Sequence, residues 1–108
     1  MKLNIYEKKK IVKTYEASTY DLMFGVMEDV AQAIKLDELK SGSDVEIIKM
    51  VGNTVVNSMD TVKGLMMDIF EGLNEEELRH TSVKEIARVL VDVVMYTIAQ
   101  LNLNKSKN

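Results

Sequence analysis

Residues 3–6 (LNIY) alternate apolar and polar side chains, and residues 11–16 (IVKTYE) concentrate β-branched and aromatic ones. The charged run EKKK between them reads as a turn, so residues 1–17 are expected to form a β-hairpin. A lone hairpin is marginal in water and must rest on the rest of the chain. From 18 onward the period changes to that of a helix. Met23, Met27, Val30 and Ile34, widened by Val26 and Ala31, oppose Asp21, Glu28, Asp29, Gln32 and Lys35, which predicts a helix over 18–36. Ser18 with Asp21 fits a capping box at its start. Residues 37–43 (DELKSGS) break the pattern, and Ser43 with Glu46 offers a second capping box.

The next stripe runs Ile48, Val51, Val55, Met59, Val62, Met66 and Ile69. Its spacing predicts one long helix over 43–71, with a kink near Gly52 or at Asn57–Ser58 and Gly72 closing the C-terminal end. Asn74 caps a short acidic helical turn over 74–79. Ser82 and Glu85 supply a third capping box, opening a helix over 82–102. That helix is apolar around most of its girth. Val83, Ile86, Ala87, Leu90, Val94 and Leu101 form the centre, with Val89, Val93 and Tyr96 on one flank and Val91 and Ile98 on the other. Residues 103–108 read as a frayed tail. The expected fold is mostly α (α+β): an N-terminal β-hairpin, three main helices and a short helical turn, in one domain.

Composition removes several kinds of chemistry. The 108 residues include no cysteine, no proline, no tryptophan and one histidine. Disulfide scaffolds, thiolate metal sites and paired-histidine zinc sites are therefore excluded. No apolar run approaches a membrane span, and the start lacks the apolar region of a signal peptide, so a cytosolic location is expected. The net charge of −3 is uneven: residues 1–16 carry five lysines against two glutamates, whereas 17–104 carry seven basic and fifteen acidic side chains. An acidic body argues against a nucleic-acid partner.

Nothing in the pattern assembles an active site, so no catalytic, cofactor or metal residue is expected. His80 lies in a polar turn (RHTS) without an evident orienting partner. Neighbouring acids such as Glu28–Asp29 diverge by about 100° on a helix and do not converge on one ion. The glycines form no phosphate-binding loop. Two features stand out instead. Eight methionines are present, and their unbranched thioether side chains suit adaptable apolar grooves. The last helix also carries more apolar width than one side of a small domain buries. Met50, Met67, Val89, Val93, Met95 and Tyr96 are the candidate partner or self-association surface, and a homo-oligomer is expected.

The middle stripe ends Ile69-Phe70-Glu71-Gly72-Leu73, followed by Asn74-Glu75-Glu76-Glu77-Leu78 and then Val83-Lys84-Glu85-Ile86 before the valine-rich helix and lysine-tipped tail. With the N-terminal hairpin, this layout resembles the tail assembly chaperones of long-tailed (siphovirus-type) phages and prophages of Gram-positive bacteria. The resemblance spans nearly the whole chain and is most specific over 69–96. It implies a non-enzymatic protein that binds and solubilises the tape measure protein in the host bacterial cytoplasm and is absent from the mature virion. It also implies a longer form made by frameshifting near the end of the reading frame. Two other classes fit the composition: a phage structural or connector protein, and an acidic helical regulatory partner.

Overall fold

Two hydrophobic periods give two kinds of element in the computed structural model, which describes residues 1–101. Strands β1 (Lys2–Glu7) and β2 (Lys10–Glu16) form an antiparallel hairpin. Helices α1 (Phe24–Ile34), α2 (Asp44–Asn57), α3 (Met59–Ile69), α4 (Glu75–Leu78) and α5 (Val83–Leu101) follow, with 3-10 turns at Thr19–Asp21 and Leu36–Glu38. The fold is thus α+β and mostly helical, as the periods predict. The expected tail over 103–108 lies outside the described residues. No helix among those described is long and apolar enough to cross a membrane.

The hairpin turns through Lys8 and Lys9, both left-handed with φ of 51° and 68°. Two consecutive left-handed residues match the twist of the flanking strands, a place where Asn and Gly are favoured and lysine is held at a steric cost. Ile5 faces Lys13 while Tyr6 faces Ile11, so Val12 is the extra residue of a bulge. β1 turns Leu3 and Ile5 into the core. β2 lies at the outer edge, where the bulge and the lysines discourage pairing with another strand. The opposite edge of β1 is covered: Tyr6 N–H donates to the His80 carbonyl at 2.8 Å, and Asn4 N–H donates to Glu85 Oε1 at 2.9 Å.

Two boundaries and one cap differ from the sequence expectation. Ser18 caps only the 3-10 turn, accepting from Tyr20 N–H. Leu22 and Met23 are then extended, and α1 begins at Phe24 rather than 18. The 43–71 segment is two helices rather than one, and the break falls at Asn57–Ser58, one of the two expected kink positions. Ser58, with φ −138° and ψ 51°, separates α2 from α3, at a pair of weak helix formers, Asn57 and Ser58. At α5, Ser82 Oγ accepts from Lys84 N–H at 3.1 Å. Glu85 does not reach back to close the predicted box; its carboxylate serves β1 instead. At Asn74, expected only to cap, a full box closes: Asn74 accepts from Glu77 N–H, and the Glu77 carboxylate accepts from Asn74 N–H. Gly72 ends the α3 exit with φ 91°.

α5 is the central helix, packed against α1, α2, β1 and the Thr19–Asp21 turn. That placement accounts for its apolar width. Val89 and Val93 are 1% and 0% exposed, which corrects their expected place on a partner or self-association surface: both are core. Thr97, also fully buried, satisfies its hydroxyl by donating to the Val93 carbonyl at 2.7 Å.

Candidate interaction surface

α2 has a wider apolar arc than the core covers. Ile47, Val51 and Thr54 face inward and are buried. Beside them Val45, Ile48 and Val56 are 63%, 57% and 73% exposed. At about 100° per residue these three share a face with Gly52, and the polar residues Lys49, Asn53 and Asn57 are confined to the remaining side. A Cβ added at Gly52 would meet no heavy atom within 4 Å, so the middle of this second stripe is flat and open. A stripe of this kind is what a helix presents to a partner rather than to water.

The stripe leads into a groove. Val55, two turns beyond Ile48, lines a cleft of about 470 Å³ with Met59, Val62, Met66, Val83 and Ile86. Met59 and Val83 are more than half exposed. Lys63, Glu75 and Arg79 stand among the lining residues. Lys63 Nζ pairs with Glu75 Oε2 at 3.1 Å. Arg79 makes no ion pair among the described residues.

A third apolar surface lies where the chain enters α1. Tyr20, Met23 and Phe24 are 84%, 72% and 60% exposed. The Tyr20 ring stands edge-on to Tyr96 with centroids 6.0 Å apart, which ties this segment to the second half of α5.

Of the residues singled out from sequence, Met50 and Met67 are half-buried and packed on the core. Met95 is 38% exposed, and half-buried Tyr96 holds Tyr20. The structure does not gather the six into one patch. Sequence reading missed Val45, Ile48, Val56 and Val83 as surface residues. The signal was present in the two apolar arcs of α2, but periodicity alone does not say which arc the core takes.

The charged groups brace these surfaces. Glu46 accepts backbone N–H bonds from Lys40, Ser41 and Gly42 at 2.8–2.9 Å. Those donors, led by Lys40, lower its pKa to about 2. Glu77 accepts from the Tyr15 hydroxyl at 2.5 Å and from Lys13 at 3.0 Å. The tyrosine first and then the lysine hold its carboxyl below the usual range. These contacts fasten the Lys40–Ser43 loop to α2 and β2 to α4.

Fold and surface together define a small α+β protein whose distinguishing property is exposed apolar surface on helices. Comparison of the chain with protein-family models, curated proteins and solved structures gives no match.

Proposed function

We propose that the chain is a non-enzymatic phage tail assembly chaperone that binds and solubilises the tape measure protein as a homo-oligomer in the bacterial cytoplasm. The observation that supports this is the second stripe of α2. Val45, Ile48 and Val56 are each more than half exposed around an open glycine. An apolar strip about 17 Å long on a helix of 14 residues is matched in shape by another helix, and Gly52 lets the two backbones approach. Long amphipathic helices are what a tape measure protein would offer, and an acidic body keeps such a complex in solution.

Co-expression of the chain with a tape measure protein from a siphovirus of a Gram-positive host tests the reading. The wild-type chain is expected to keep that protein in the supernatant and to co-purify with it. Ile48→Asp, on the exposed face, is expected to lose both effects while retaining its helical circular dichroism. A tape measure protein equally soluble with and without the wild-type chain would rule the reading out.

A further inference from the structure

The groove and the aromatic segment lie at opposite ends of α5. Val83 lines the groove, whereas Tyr96 holds Tyr20. Thirteen residues of helix, about 20 Å, separate the two contact points. Neither surface can satisfy the other within one chain. Their chemistry is nevertheless paired. The groove is apolar, with Arg79 and the Lys63–Glu75 ion pair at its side, and the projecting Met23 and Phe24 are flanked by exposed Asp21 and Glu28.

We infer that the groove between α3 and the start of α5 receives the Met23–Phe24 segment of a second copy of this chain, in a head-to-tail contact. Phe24 and Met23 enter against Met59, Val83 and Ile86, and Asp21 and Glu28 come to lie on the side of Arg79, which makes no ion pair among the described residues. About 470 Å³ falls within the range of clefts that enclose a compact apolar group. Arg79 at the groove and the two carboxylates beside the knob set the orientation and disfavour groove-to-groove or knob-to-knob pairing. A pair leaves the knob of one copy and the groove of the other unused, so the contact is heterologous and propagates to a ring or an open helix of copies. The α2 stripe around Gly52 remains outside this contact. The inference rests on the proposed function only in expecting several copies, and it deepens that expectation by naming the surfaces.

Sedimentation velocity on the full chain alone, without any tape measure protein, tests it. The wild type is expected to grow in mass with concentration from micromolar to a few hundred micromolar. Phe24→Asp and Val83→Asp, both at exposed positions, are each expected to weaken association at least tenfold while keeping the wild-type thermal midpoint. Mixing them is the decisive step: Phe24→Asp retains a working groove and Val83→Asp a working knob, so the mixture should stop at a one-to-one complex. Ile48→Asp should self-associate like the wild type, which separates failure here from failure of the partner reading. A wild type that stays monomeric throughout would overturn the inference. So would a mixture that forms no complex, or a Val83→Asp chain that still associates normally.

Discussion

The Glu85 carboxylate joins Tyr6 to α5: one oxygen accepts from the Tyr6 hydroxyl and the other from Asn4 N–H. The bond also raises the Tyr6 pKa, with Glu85 as the main cause. Tyr6→Phe and Glu85→Gln should each lower the urea midpoint. Because both act on one junction, the double variant should lose less than the two single losses combined. Full additivity in the four-variant cycle would show that the two residues act separately.

Val93 and Met95 are two positions apart and differ completely in surroundings. Val93→Asp places an unpaired charge at a 0% exposed site and should cost on the order of 3–5 kcal/mol or prevent folding. Met95→Glu, at 38% exposure, should fall within about 0.5 kcal/mol of wild type. Chemical denaturation of the pair distinguishes a core flank from a surface flank on the same helix.

Gly52 and Gly72 should respond in opposite directions to alanine. Gly52 is mid-helix with free space around it, so Gly52→Ala should stabilise the chain by about 0.5–1 kcal/mol. Gly72 sits at φ 91°, where Gly72→Ala should destabilise by roughly 1 kcal/mol or more. Thermal melts of both variants check the sign.

Acid should loosen the Lys40–Ser43 loop before the bulk of the fold. Glu46 has a folded pKa of about 2, below the ~4.3 of an unfolded glutamate. A depressed carboxyl contributes stability above the unfolded value and loses it as pH falls towards the folded one. The loss therefore falls between about pH 4.3 and pH 2. Protection of the Lys40, Ser41 and Gly42 amides, measured against the intrinsic exchange rate at each pH, should fall as pH drops through that window, and Glu46→Gln should lack that protection at neutral pH.

Local chemistry was legible wherever a signal acts within a few residues. Ser43 and Asn74 cap the helices they were expected to cap, Gly72 adopts its positive φ, and the hairpin falls where the period-two pattern lies. Ser18 misled because a serine caps a 3-10 turn as readily as an α-helix, and the extended Leu22–Met23 pair carries no local mark. Glu85 misled because its carboxylate found Asn4 and Tyr6, some eighty residues earlier in the chain, a choice no window around Ser82 contains. The surface assignment failed for a related reason. The wide arc of α5 is covered by four neighbours, while the wide arc of α2 is left partly bare.

The covered edge of β1 also sets the order of events during synthesis. Leu3 and Ile5 reach the core on a strand held by the His80 carbonyl and the Glu85 carboxylate. At roughly 5–20 residues per second, the ribosome needs about 4–16 s to deliver Glu85 after Asn4 has been made. Throughout that interval the first strand has no dock. A nascent chain of this protein therefore carries Leu3 and Ile5 on an undocked strand until the last helix arrives, and β1 is secured only after every helix has been made.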